Sequence, residues 1–446
     1  MIQIDATTLR RLQEALRRTV PRTNRNRSPV SASADSRGLR VEVKVPGVQL
    51  RFEEAGQFGL GQCTLPLEAL LKIPTTSGGG VELESTDDGV TLRWTDGGVP
   101  RATRTETVPS PEQTLSEPIS WVATTAELRT AFAAARQVCS PETVRFATDR
   151  ICLRGARRQV AATDGRQLLV WDGFEFPWSE DVLIAPFGML DADELKAASD
   201  WGLGRTEEHV VLQTGSWSFW AEILKDGRFP NVDQVMPHRS ASDRRLVLSL
   251  HDASFLKKTL PRLPGRESEF SPITVEMNGH VGILAREAEG GPTTELELSS
   301  SCYEGAPLRF ACDRDHLRRA VSLGLTELRV ANANKPVLMQ DDRRRCLFVP
   351  LGSSTLSSEA AAFRLRSSDA QPPVRSPRRP DTPAPATKAP AAEEPAIATA
   401  CAPTAPTLDS AAVASLQYGL GQVARDLDRL IQSLGHRAIA ASPVPS

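Results

Sequence analysis

One pattern recurs three times along the first 351 residues, and it limits the fold more than any single residue does. A capping residue is followed by apolar residues at helical spacing: Asp5 before Leu9, Leu12, Leu16 and Val20; Thr125 before Leu128, Phe132 and Val138; Asp252 before Phe255 and Leu260. The starts lie roughly 120 residues apart, an ordinary domain length. Each unit then offers a second short helix: Leu65 to Leu71, Pro186 to Ala198, and Asp313 to Val321. Between the helices lie short β-type runs, including Leu39 to Val45, Val81 to Glu84, Val90 to Trp94, Val210 to Gln213, Val281 to Ala285, Thr294 to Leu298 and Cys346 to Val349. Two helices and many short strands per unit predict an α+β repeat with domains at 1–115, 116–240 and 241–352.

Composition changes abruptly after that. Residues 353–407 are dominated by Pro, Ala, Ser and Thr, as in Gln371-Pro372-Pro373 and Pro383-Ala384-Pro385. Such a stretch buries too little apolar area to offset the entropy of ordering, so it reads as a disordered linker. Val413, Leu416, Leu420, Val423, Leu427, Leu430 and Leu434 then recur in alternating steps of three and four, predicting an amphipathic helix over 408–436.

Chemistry is harder to find. The seven cysteines form no C-x-x-C pair and the six histidines are dispersed, so neither a zinc site nor a disulfide framework is indicated. Gly59-Leu60-Gly61 starts like a dinucleotide fingerprint, but Thr64 stands where its third glycine belongs. Asp164, Asp226 and Asp233 read as turn residues rather than catalytic carboxylates. No run reaches the roughly 18–20 apolar residues of a membrane span, and no basic-then-apolar leader opens the chain. The expectation is a soluble, cytoplasmic, non-catalytic protein without metal or cofactor.

Two local sequences make the repeat specific. Val160-Ala161-Ala162-Thr163-Asp164-Gly165-Arg166-Gln167-Leu168 is followed by Asp226-Gly227-Arg228-Phe229-Pro230-Asn231-Val232-Asp233-Gln234-Val235-Met236-Pro237. Together they resemble second-domain signatures of the bacterial DNA polymerase III beta subunit, the sliding clamp. Leu347-Phe348-Val349-Pro350-Leu351 is similar to that family's terminal strand, and Gly61-Gln62-Cys63-Thr64-Leu65-Pro66 to the strand before the first domain's second helix. The resemblance covers about residues 1–351 and leaves the tail uncovered. It implies three tandem clamp-like domains, each with two helices on antiparallel sheet. In the family, two such subunits close head to tail around duplex DNA, perform no chemistry, and tether the polymerase by topology.

The resemblance therefore implies a homodimer whose partners are double-stranded DNA, held without reading its sequence, the polymerase III catalytic subunit and the clamp loader. Phosphate contacts would come from Arg10, Arg11, Arg17, Arg129, Arg136, Lys196, Lys257, Lys258, Arg318 and Arg319 on the helices, and from Arg22 and Arg25 in the loop after the first. With a formal net charge of −2, this expects basic and acidic residues to be segregated. A hydrophobic pocket for short peptides would fall on Thr163, Gly165, Leu168, Pro230, Val235, Leu347, Val349, Pro350 and Leu351.

The chain also departs from the family. Arg166 and Gln167 follow the glycine where His and Arg are usual, and Gly352 replaces a basic residue. At the ring contact, apolar positions align with Thr103 and Thr105 on one side and near Pro264, Gly265 and Arg266 on the other. An apolar dimer interface is not evident, which leaves a second expectation open: a non-encircling clamp-fold paralogue acting as a scaffold through its C-terminal helix.

Overall fold

The structure is a computed structural model that describes residues 1–370 except 21–24, 26–27, 76–78, 110–114, 142–145, 188–191, 238–242, 288–290 and 358–360. The helix expected over 408–436 lies outside the described residues, as does the linker from 371 onward.

The helices are α1 (Ala6–Thr19), α2 (Leu67–Leu71), α3 (Ala126–Arg136), α4 (Asp193–Ala197), α5 (Leu250–Thr259) and α6 (Arg314–Ser322), two to each module. Asp5 caps α1 as its sequence predicts, its carboxylate accepting from the Thr7 and Thr8 amides at 2.8 and 3.1 Å. α5 departs from expectation. Its cap is Ser249, whose hydroxyl accepts from the Asp252 amide, while Asp252 is buried in the first turn and accepts from the Ser300 amide and the Ser301 hydroxyl. Asp252 ties the helix start to a loop far away in sequence, which local pattern does not reveal. α5 stops at Thr259 and tightens into a 3-10 turn at Pro261, a proline being unable to continue the hydrogen-bond ladder.

Each module contributes two half-sheets, and successive modules fuse them. In the first module Gly61–Pro66, Pro29–Ala34, Gly38–Val45 and Val48–Ala55 lie in that order, and Val48–Ala55 pairs antiparallel with Trp217–Glu222 of the second. In the second module Asp181–Ile184, Ile151–Arg154, Gln159–Thr163 and Gln167–Asp172 repeat the order, and Gln167–Asp172 pairs antiparallel with Arg344–Phe348 of the third. The third module runs Leu308–Asp313, Pro272–Met277, Val281–Arg286 and Thr293–Glu297. At the other end of the chain, Ile2–Ile4, Val81–Thr86, Gly89–Asp96 and Val99–Thr105 form a separate sheet with Val99–Thr105 at its edge.

Large side chains bind the two seams. Trp217 sits opposite Phe52 in register with ring centroids 4.7 Å apart, and the Arg51 guanidinium lies 4.7 Å over the Trp220 ring. At the second seam Arg345 pairs with Asp172 at 2.7 Å and Arg343 with Glu127 at 2.6 Å. Cys63, Cys152, Cys312 and Cys346 are buried as small hydrophobes, and burial pushes the Cys63 thiol up to about 11 and those of Cys152 and Cys346 to about 12.

Residues 353–370 correct the linker expectation. A 3-10 turn at Ser353–Thr355 is followed by the strand Phe363–Arg366 and a second turn, Ser367–Ala370. The strand pairs in parallel with Thr293–Glu297, adding a fifth strand to the third module's sheet. Phe363-Arg364-Leu365-Arg366 has the alternation of a strand, and the Pro-rich bias begins only at Gln371-Pro372-Pro373.

Replacing Trp217 by Ala removes one of the two fully buried tryptophans at the first seam. The expected cost is about 3–5 kcal/mol, read by denaturant unfolding of the full chain.

Candidate nucleic-acid interface and docking groove

The long helices bury their apolar faces: Leu9, Leu12 and Leu16 on α1, Leu128 and Phe132 on α3, Phe255 and Leu256 on α5, Leu317 and Val321 on α6. The charged residues between them are thereby turned away from the core. They divide into three groups by what they touch.

Arg136, Lys257 and Lys258 are exposed in the last turns of α3 and α5, with no ion-pair partner among the described residues. Cations there also complement the helix dipole. A second group donates, among the described residues, only to neutral acceptors and so keeps its charge uncompensated there. Arg10 donates to the Thr75 carbonyl at 3.2 Å, Arg17 to the Leu71 carbonyl at 2.8 Å, and Arg25 to the Val20 and Arg17 carbonyls. The third group is neutralised. Arg11 is held by Glu54 at 2.8 Å and by Glu194 at 2.7 Å, bridging the first module to α4 of the second. Arg318 is held by Asp315 at 2.9 Å, and Lys196 lies 3.4 Å from Asp193. Arg11 is thus a bridge between modules rather than a free phosphate contact. Arg22 lies outside the described residues.

Where α3 and α6 approach each other, Arg129, Lys196, Arg319 and His316 line a cleft of ≈ 230 Å³ floored by Leu168, Leu347 and Phe348. Arg319 donates to the Gln167 side chain at 2.9 Å, tying α6 to the second module. Burial holds the His316 imidazole below its ordinary value, so the cleft's charge comes from the arginines and the lysine.

The predicted docking pocket lies across the same seam. Thr163 to Gln167 form a tight turn: the Asp164 carboxylate accepts from the Arg166 and Gln167 amides, both at 2.8 Å, and the Thr163 hydroxyl donates to the Gln167 carbonyl at 2.6 Å. Gly165 has φ +88°, which demands glycine even though nothing crowds it. These residues shape the turn, and the Thr163 hydroxyl is committed within it. Strand alternation then sends Leu169 and Trp171 into the main core and Leu168 and Val170 to the opposite face.

On that face Leu168 pairs directly with Leu347, and Ala161, Val170, Leu338 and Val232 complete a second apolar cluster, flanked by half-buried Leu224, Phe229 and Met236. Leu168 and Leu347, both buried, therefore lie beneath the candidate groove. Val235 and Val349 are 54% and 45% exposed beside it, and Pro230 and Pro350 are half-buried. Leu351 is half-buried as well and turns away, its amide donating to the Ala311 carbonyl at 2.8 Å on the third module's own sheet. Sequence reasoning did not single out Leu338, Val170, Phe229 or Met236; Phe229 and Met236 stand inside the Asp226 to Pro237 signature. The 3-10 turn Val232–Val235 is fastened by Asp233, which accepts from Arg154 at 2.6 Å and forms an ion pair with Arg157 at 3.0 Å. The hydrogen bond from Arg154 holds the Asp233 carboxyl below the usual range.

The positions aligned with the ring contact are polar in fact. Thr103 and Thr105 lie on the edge strand Val99–Thr105. Pro264, Gly265 and Arg266 form a loop whose Leu263 and Pro264 carbonyls are gripped by the buried Arg314 guanidinium. A Cβ on Gly265 would lie 2.2 Å from the Arg286 carbonyl oxygen, so no apolar side chain fits there.

No family model matches the chain, and no curated protein is similar to it in sequence. Solved structures are similar in fold. The DNA polymerase sliding clamp from Pseudomonas aeruginosa superposes with TM-score 0.61 at 16% identity, over 79% of this chain and 99% of that one. The DNA polymerase III beta subunit of Thermotoga maritima gives 0.62 at 13% identity with the same coverage, and the C. crescentus beta sliding clamp 0.59 at 18% over 79% and 98%. The chain has the three-module sliding-clamp fold, and at these identities the likeness carries the fold.

Asp233→Ala would leave the largely buried Arg154 without its main partner and loosen the turn over the groove. A loss of about 1–3 kcal/mol in stability is expected, measured by denaturant unfolding of the full chain.

Proposed function

We propose that the chain is a sliding clamp: a non-catalytic tether that encircles duplex DNA as a head-to-tail pair and docks replication and repair proteins in the groove at its second seam. The observation that carries this is the seam itself. Val48–Ala55 with Trp217–Glu222, and Gln167–Asp172 with Arg344–Phe348, join three modules end to end by the same antiparallel pairing. A chain built this way has one joining edge left at each end, and two copies supply matching pairs. Closure of identical units needs only the operation already used twice within the chain.

The charge pattern suits a sequence-blind hold. Among the described residues Arg136, Lys257 and Lys258 have no ion-pair partner, and Arg10, Arg17 and Arg25 meet no carboxylate, as long-range attraction to phosphates requires. The docking partners are extended peptides bearing apolar anchors, because Val235 and Val349 expose apolar area beside the buried Leu168–Leu347 pair. The polymerase catalytic subunit and the clamp loader are the expected bearers of such peptides. A non-encircling scaffold is favoured by one feature, the polar character of Thr103 and Thr105 at the edge where an apolar contact would hold a ring together.

Retention on DNA separates the two. The chain loaded on a nicked circular plasmid should remain bound through gel filtration and run off when the plasmid is cut to a linear form. Equal loss from both forms would defeat the ring. In equilibrium binding, Lys257→Glu with Lys258→Glu should weaken DNA affinity about equally for all sequences and flatten the salt dependence by about two phosphate contacts.

A further inference from the structure

The internal repeat identifies the edge through which the third module would be joined. Val48–Ala55 and Gln167–Asp172 each end a four-strand half-sheet, and each receives an antiparallel strand from the following module. In the third module Thr293–Glu297 holds the same place in the same order. The strands they receive, Trp217–Glu222 and Arg344–Phe348, are each third in a meander of hairpins, as Val99–Thr105 is in the first module. Thr293–Glu297 and Val99–Thr105 therefore form the pair that the repeat demands, and they lie in two different sheets of the chain.

Only one of those edges is open. Val99–Thr105 is exposed along its length and has no outer neighbour among the described residues, whereas Thr293–Glu297 is covered by Phe363–Arg366. The covering strand is fastened at several points. The Ala362 amide donates to the Thr293 carbonyl at 2.8 Å, and the Ser299 amide donates to the Ser367 hydroxyl at 2.9 Å. Arg364 pairs with Glu295 at 2.8 Å and Arg366 with Glu297 at 3.2 Å. The Glu295 carboxylate is nearly buried, and its other neighbour is His280 at 2.7 Å. At the same time Phe363 is 62% exposed and buries little of its ring, so the strand adds few apolar contacts to the edge it covers.

We propose that Phe363–Arg366 is an intrachain cap on the edge that otherwise accepts Val99–Thr105 of a second copy, so that two copies pair only when the cap is displaced. This rests on the ring reading above. Charge favours the same competition: Thr293–Glu297 carries Glu295 and Glu297, Val99–Thr105 carries Arg101 and Arg104 and no acid, and the cap presents Arg364 and Arg366 to the same glutamates. The cap needs no second molecule. A short tether from Leu351 keeps it at an effective concentration on the order of millimolar, against which a partner's strand must compete. An edge lacking large apolar residues at Thr103 and Thr105 gives that partner little advantage, and a weak joint is one that a four-residue strand can block.

The test uses the full chain and two variants: Arg364→Glu with Arg366→Glu, which sets like charges against Glu295 and Glu297, and Arg364→Pro, which a ladder strand does not tolerate. Hydrogen exchange of residues 361–367 reports whether the cap is bound, and sedimentation reports assembly. The wild-type chain is expected to be monomeric at micromolar concentration with the segment protected. A variant with the segment freed should dimerise about 10–100-fold more tightly. A dimeric wild-type chain with the segment still protected overturns the proposal. So does a freed segment with unchanged sedimentation, or protection in both variants. Retention on nicked circular DNA distinguishes this from failure of the ring reading: a freed variant that dimerises yet is not retained defeats the ring and leaves the cap, whereas a wild-type chain retained on the plasmid with residues 361–367 still protected defeats the cap and leaves the ring.

Discussion

The antiparallel ladder between modules is the interaction on which everything else in this molecule depends. A module of about 120 residues with two helices on a sheet has sheet edges whose N–H and C=O groups it cannot pair alone. Pairing Val48–Ala55 with Trp217–Glu222, and Gln167–Asp172 with Arg344–Phe348, removes four such edges and fixes the register between modules. Register matters because a slip of one residue in Arg344–Phe348 would turn Leu347 into the main core and Phe348 out of it. The groove and the cleft between α3 and α6 are the two faces of one seam: Leu168 and Leu347 touch both, and Arg319 reaches across to Gln167.

Electrostatics divides labour among side chains of one type. Arg11 spans two modules between Glu54 and Glu194, where its fork and permanent charge suit a bridging role. Arg17 and Arg25 bind carbonyl oxygens and keep their field. A net charge near zero is therefore compatible with a basic face, because many carboxylates are consumed in local pairs such as Glu53 with Arg40 and Glu84 with Arg93. These exposed pairs add little stability individually, and their effect is to decide which arginines remain available.

Much of the fold was legible. Asp5 at the start of α1 and Asp313 at the start of α6 are caps that local chemistry announces, and the Thr163-Asp164-Gly165 turn follows from an aspartate that bonds ahead and a glycine that takes positive φ. Asp252 misled because a buried carboxylate bonded to Ser300 and Ser301 looks, in sequence, like a cap. Ile151–Arg154 and Gln159–Thr163 escaped notice because both faces are buried, which removes the alternation that marks a strand. The strand Phe363–Arg366 was absorbed into a linker because a window average cannot see four alternating residues beside a Pro-rich stretch. Its glutamate partners stand 69 positions earlier in the chain.

Local sequence settled the number of modules, the order of their helices and the chemistry of their turns, since caps, glycine conformations and helical spacing act within a few residues. Tertiary structure alone decided which arginines are neutralised, which leucines meet across a seam and which edge is covered. Each of these depends on a contact between residues far apart in the chain, and such contacts exist only once the modules have been laid against one another.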